Sequence, residues 1–146
     1  MDSPFRVLPR LDAENEFFWT AGKSGELRFL RCRSCDYYIH PPAPICPLCL
    51  SRAVVPHPVS GRATLFSFTV NHQKWSPDID EPYVIALVQF PEQDDLRLTT
   101  NLVDIDPADV EIGMDLQVMF EDHDPIWIPV FTRADRGHGD QAMPVR

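Results

Sequence analysis

The residues best placed by type and spacing to do chemistry are four cysteines, the full complement of the chain, inside CRSCDYYIHPPAPICPLCLS at residues 32–51. Cys32, Cys35, Cys46 and Cys49 form two CxxC pairs in the order C-x2-C-x10-C-x2-C. Each CxxC can turn two sulfurs toward one point about 2.3 Å away, a zinc–sulfur bond length, and two such knuckles close a tetrahedron. Redox CxxC pairs sit at helix N-termini, where the dipole favours the thiolate. Here one pair follows a strand-like stretch and the other a Pro-rich loop. Metal binding by all four cysteines is therefore the reading, as a zinc ribbon; spacing alone does not separate zinc from iron in the same ligand set. A catalytic zinc keeps an open position and usually three protein ligands, whereas four thiolates saturate it, so the metal is read as structural. His40, within the intervening loop, is expected to face solvent rather than to replace a ligand.

Elsewhere, no nucleophile, base and orienting group stand out together, and no catalytic residue is assigned. His72 shares the segment NHQKW with Lys74 and Trp75; a lone loop histidine is more often a surface group than a base. Asp78, Asp80 and Glu81 lie between Pro77 and Pro82 and read as a stiff surface turn rather than a metal loop. Phe18, Trp19, His72, Lys74, Trp75 and Trp127 are the candidate contact residues, since exposed aromatics anchor interfaces. Phe17, Phe66 and Phe68 are expected in the core. Arg28, Arg31, Arg33, Arg52, Arg62 and Lys74 could pair with phosphates, with scattered solvated charge as the plainer account.

These groups need a frame. Residues 1–11 read as a flexible arm, and DAENEFFWTAGKSG (residues 12–25) as a helix capped by Asp12 and stopped at Gly22 or Gly25. GELRFLRC alternates like a strand entering the first knuckle, and the ribbon is expected over residues 26–58. RATLFSFTV, YVIALVQF, LRLTTNLV, LQVMF and IWIPVF then give five short strands, with Phe66, Phe68 and Val70 on one face of the first. DPADVEIGM fits one helical turn capped by Asp106 with Pro107 first. The fold class is mainly β: an N-terminal helix, a zinc ribbon, and a five-stranded OB-fold barrel over residues 59–132, followed by a disordered tail at 133–146.

The charge is uneven. Residues 1–75 carry nine Lys/Arg against six Asp/Glu, a balance of +3, and residues 76–146 carry four against sixteen, a balance of −12. An acidic barrel repels phosphate backbones, which argues against the single-stranded nucleic-acid binding common among OB folds. No apolar run is long enough to span a membrane, and MDSPFRVLPR lacks a signal-peptide core, so a soluble cytoplasmic protein is expected.

In order and spacing, the chain resembles the zinc-ribbon OB-fold family labelled DUF35. The stretches that carry this are FFW at 17–19, LRFLRCRSCDYYIHPPAPICPLC, SGRATLFSFTVNHQKW, PYVIALVQF, LRLTTNLVDIDPADVEIGMDLQVMF and WIPVF, together spanning about residues 12–132. The resemblance implies a non-catalytic accessory subunit that forms a hetero-oligomer with a thiolase-fold acyl-CoA enzyme. The NHQ-x-W segment is similar to the subgroup accompanying lipid-transfer-protein-type thiolase homologues, which act as retro-aldolases on 3-hydroxyacyl-CoA in steroid degradation. A stand-alone acyl-CoA-binding module is the alternative.

Overall fold

The structure is a computed structural model and describes residues 6–79 and 82–134, with the backbone of Met143–Pro144. A short helix, α1 (Glu16–Thr20), runs on into a 3-10 turn at Ala21–Ser24. The helix is shorter than the 12–25 expected. Asp12 explains the start: its side chain accepts from the backbone N–H groups of Glu14 and Asn15, which fixes a turn ahead of the helix instead of capping it. Gly25 is the stop, in the left-handed conformation at φ 76°. Gly22 serves a different purpose. A Cβ there would lie 2.6 Å from the Phe120 ring and 2.7 Å from Trp127 Cβ, so the missing side chain lets the turn lie directly on the barrel.

The ribbon is a three-stranded antiparallel sheet: β2 (Tyr38–Ile39), β1 (Leu27–Cys32) and β3 (Val54–Val59), in that order. β1 pairs with β3 along its full length, Leu27 opposite Val59 through Cys32 opposite Val54. Pro56 and Pro58 are tolerated because β3 is an edge strand.

The barrel comprises β4 (Arg62–Asn71), β5 (Tyr83–Gln89), β6 (Arg97–Leu102), β7 (Asp115–His123) and β8 (Ile126–Arg133). The order is β4-β5-β6-β8-β7, and β7 pairs back onto β4 from Arg62 opposite Gln117 to Thr64 opposite Asp115, closing the sheet. This order, closed through a short parallel β6–β8 contact, is the OB arrangement expected. The insertion before β7 is the anticipated single turn, Pro107–Asp109, with Asp106 accepting from the Ala108 N–H at 2.9 Å. Most of residues 133–146, expected as a disordered tail, lie outside the described residues; Met143–Pro144 (β9) run parallel to β7.

One hydrophobic core joins helix, ribbon and barrel. Phe18, Leu27, Phe29 and Tyr38 pack into the same cluster as Leu65, Val88, Phe90, Leu116, Val118, Phe120 and Phe131. Phe17 and Phe68 are half-buried against that core. Phe66 is not: it is 44% exposed. The register of β4 on β5 slips between Leu65 and Ser67, a bulge that breaks the two-residue alternation and leaves Phe66 on the outside. The Arg97 guanidinium stacks on its ring at 4.0 Å.

Candidate metal centre and the junction it positions

The two knuckles are built alike. The Cys32 N–H donates to the Tyr37 carbonyl at 2.8 Å and the Asp36 N–H returns to the Cys32 carbonyl at 2.8 Å. In the second knuckle the Cys46 N–H donates to Ser51 and the Leu50 N–H returns to Cys46, both at 2.9 Å. Asp36 and Leu50 hold the equivalent left-handed position, each at φ 65°. That conformation is unusual for a branched residue such as Leu50, which is 74% exposed and gains no packing from it.

The result is four sulfurs all within 4.8 Å of one another. Cys32 and Cys49 Sγ are 3.5 Å apart, and Cys35 and Cys46 Sγ 3.7 Å. A tetrahedron with metal–sulfur bonds of about 2.3 Å has edges of about 3.8 Å, so the set fits one four-coordinate metal. A disulfide needs about 2.0 Å and is excluded by the same distances. Electrostatics divide the four thiols. Burial pushes the Cys32 thiol up, but the N–H groups of Cys35 and Ser34 outweigh it and bring it down to about 6. Cys46 is likewise lowered: the Cys49 and Leu48 N–H groups overcome its burial. In Cys35 the Tyr37 N–H works downward, but burial and the neighbouring sulfurs push the thiol up to about 12. Cys49 is also raised, burial and the Cys32 sulfur overcoming the Ser51 N–H. The first cysteine of each knuckle is thus held below the ordinary thiol value and the second above it.

The ribbon is fastened to the barrel by side chains that the cysteine pattern did not reveal. Gln93, in the β5–β6 turn, accepts from the Tyr38 N–H at 2.8 Å and donates to the Tyr38 carbonyl at 3.0 Å. The Tyr37 hydroxyl donates to Asp95 at 2.6 Å. That bond pushes the phenol up and the carboxyl down. Glu92 accepts from the Ser60 N–H at 2.7 Å. The polar turn PEQDD is the ribbon's docking point.

His40 corrects the expectation of a solvent-facing loop residue. Its ring lies 5.1 Å from Phe18 and 4.9 Å from Phe29, and Nδ1 is buried without a hydrogen-bond partner. Burial pushes its pKa down to about 4, which keeps the imidazole neutral. The aromatic helix is the cause, since it covers the loop.

The candidate contact residues separate. Phe18 is buried between Trp19, Phe29 and His40, leaving it no face to present. Trp19 and Trp127 are half-buried against the core. His72, Lys74 and Trp75 are exposed together on the β4–β5 loop. Trp75 is 72% exposed, but its indole N–H donates to Asn71 Oδ1 at 3.0 Å and the Asn71 amide donates to the Gln73 carbonyl at 2.7 Å. The loop therefore holds an apolar ring outward in a fixed pose. Asp78 is taken up by Ser76, whose hydroxyl receives the Asp78 N–H at 3.3 Å; Asp80 and Glu81 lie outside the described residues.

Comparison with known proteins agrees with this architecture. Residues 19–55 match the family model described as the ChsH2 rubredoxin-like zinc ribbon domain, and residues 56–121 the ChsH2 C-terminal OB-fold domain. A DUF35 domain-containing scaffold protein of Methanothermobacter thermautotrophicus is 30% identical over 92 residues, covering 62% of this chain and 68% of that protein. The chain belongs to the DUF35 family. A solved chain described as "Ltp2-ChsH2(DUF35) aldolase" is 36% identical, with a TM-score of 0.79 over 88% of this chain and all of that one. A probable enoyl-CoA hydratase alpha subunit of Thermomonospora curvata is 37% identical over 130 residues, 88% of this chain. The 3-oxo-4,17-pregnadiene-20-carboxyl-CoA hydratase alpha subunit of Mycobacterium tuberculosis is 35% identical over 127 residues, 87% of this chain. The chain spans 40% of the length of each of these two relatives. Among the described residues, no helix of this DUF35 chain is long and apolar enough to cross a membrane.

Proposed function

We propose that this chain is a non-catalytic accessory subunit of a thiolase-fold enzyme of the lipid-transfer-protein type, and that the assembled enzyme is a retro-aldolase acting on 3-hydroxyacyl-CoA thioesters in steroid or lipid breakdown. The observation supporting this reading is the likeness, over 88% of this chain, to a solved chain described as "Ltp2-ChsH2(DUF35) aldolase". In such a reaction the β-hydroxyl loses its proton, the Cα–Cβ bond breaks to release a carbonyl product, and the thioester enolate takes up a proton. The part of this chain is to support the partner's acyl-CoA site, with Trp75, His72 and Lys74 as the leading contacts and Trp19 and Trp127 behind them. Zinc on Cys32, Cys35, Cys46 and Cys49 holds the ribbon and does no chemistry, since four thiolates leave it no vacancy. A cytoplasmic setting suits four free cysteines.

The test is co-expression with the thiolase-fold partner, then size exclusion and a retro-aldol assay following release of the shortened acyl-CoA. Co-elution, turnover by the complex and none by this chain alone are expected. Separate elution at micromolar concentration would refute the proposal. A second reading comes from the two hydratase alpha-subunit relatives: the chain serves beside an enoyl-CoA hydratase. Capture of a hydratase instead of the thiolase-fold enzyme in the same experiment would decide for it.

A further inference from the structure

Glu121 is anomalous for its position. Leu116, Val118 and Phe120 are buried inside the barrel, so alternation along β7 turns Glu121 to the outer wall, where a carboxylate should be solvated. It is instead only 2% exposed. Its partner is Arg6, far away in sequence. Its Nε and Nη2 donate to the two carboxylate oxygens at 2.8 and 2.9 Å, and Nη1 donates to Asn101 Oδ1 on β6. Asn101 is pre-set for this: its Nδ2 donates to the Val84 carbonyl at 2.9 Å, which turns the amide oxygen toward the arm. His123 Nε2 lies 3.4 Å from Glu121 Oε1 and closes the remaining side. Beyond Arg6 the arm is open, with Val7 87% exposed.

The two anchors lie on opposite sides of a seam. β6 and β7 are not neighbours; β8 runs between them. β7 and β8 pair from Leu116 opposite Arg133 to His123 opposite Ile126, but β6 and β8 meet in register only at Leu102 opposite Phe131. From inside, the seam is held by the Thr100 hydroxyl donating to the Pro129 carbonyl at 2.9 Å and the Val103 N–H donating to Phe131 at 2.8 Å. Arg6 spans it from outside.

We propose that Glu121, Asn101 and His123 form a guanidinium-binding site on the outer barrel wall, which Arg6 fills in cis as a clasp across the β6–β8 seam. The site selects guanidinium by shape. Two parallel N–H groups meet the carboxylate fork and a third meets the amide, a planar set that an ammonium point charge does not provide.

The test uses the full metal-loaded chain. In Arg6→Ala, amide hydrogen exchange at Leu102, Val103 and Phe131 should accelerate at least about tenfold, as expected for a lost charge-assisted bond, while β4–β5 amides keep their rates. Guanidinium chloride far below denaturing concentration should restore protection; sodium chloride and methylammonium chloride at equal ionic strength should not. Arg6→Lys should behave like Arg6→Ala. Glu121→Gln, which keeps shape but removes charge, should open the seam with Arg6 present, and in the double variant guanidinium should have no effect. Unchanged seam exchange in both single variants, or rescue by either control salt, would overturn the assignment.

Discussion

Acidification should weaken the junction of helix, ribbon and barrel through His40. Folding buries this imidazole between Phe18 and Phe29 with Nδ1 unpartnered, and lowers its pKa from 6.5 to about 4. With the folded value depressed, the native state resists a proton that the unfolded chain accepts. Stability is therefore complete above about pH 6.5, falls as the pH drops, and levels off below about 4. The full gap corresponds to about 3 kcal/mol at 1.36 kcal/mol per pH unit, and about 1.3 kcal/mol of it should disappear between about pH 7.5 and 5.5. The cysteine site also titrates on the acid side, so the measurement is a difference: urea unfolding of the wild type against His40→Leu at both pH values. The wild type should lose about 1.3 kcal/mol more than the variant over that interval. Parallel losses, or a proton resonance titration of His40 with a midpoint near 6.5, would refute the reasoning.

Gly22→Ala should destabilise by about 1–3 kcal/mol in denaturant unfolding, because the new methyl meets the Phe120 ring and the Trp127 stem. Leu50→Gly should stabilise by about 1 kcal/mol: the exposed leucine at φ 65° pays for a left-handed conformation with no contact in return. Phe66→Ala should cost under about 1 kcal/mol in the same assay and Phe90→Ala about 3–5 kcal/mol, since the bulge puts the first ring outside while the second is buried. Chelation, or Cys46→Ser, should release protection of amides in β1–β3 before those of the barrel; a ribbon exchanging at its original rate without metal would contradict a structural role.

What the sequence revealed and what it hid follow from the range of the interactions involved. The knuckles were legible because their geometry is local: two residues between cysteines and one hydrogen-bonded turn complete each. The barrel was legible because the continuous apolar run YVIALVQF and the alternation in LQVMF mark strands one by one. Phe66 was misplaced because a bulge depends on how β4 meets β5, and no local pattern records that slip. His40 was misplaced because its cover, Phe18, lies 22 positions earlier and reaches it only after the helix docks. The Arg6–Glu121 pair has a separation of 115 residues, and no spacing rule relates such positions. A charged residue at the close of the apolar-alternating LQVMFE was the one local hint, readable as an ordinary outward carboxylate.

The same distinction bears on where function resides. Four thiolates would saturate a metal, so its influence on the proposed partner would be transmitted by what the ribbon touches. Its directional contacts near the knuckles include the Gln93 clamp on the Tyr38 backbone and the Tyr37–Asp95 bond. Both end on the β5–β6 turn. The exposed Trp75 lies on the β4–β5 loop, so β5 links the ribbon's docking point to the loop that holds the ring outward. Loss of metal would release Tyr37 and Tyr38 from those partners and loosen one end of β5. Partner binding should then weaken while the barrel stays folded, and tryptophan emission from Trp75 should report the same change in the isolated chain. Hydrophobic burial alone would predict neither effect, because Phe29 and Phe90 can stay packed at 5.0 Å with the knuckles undone.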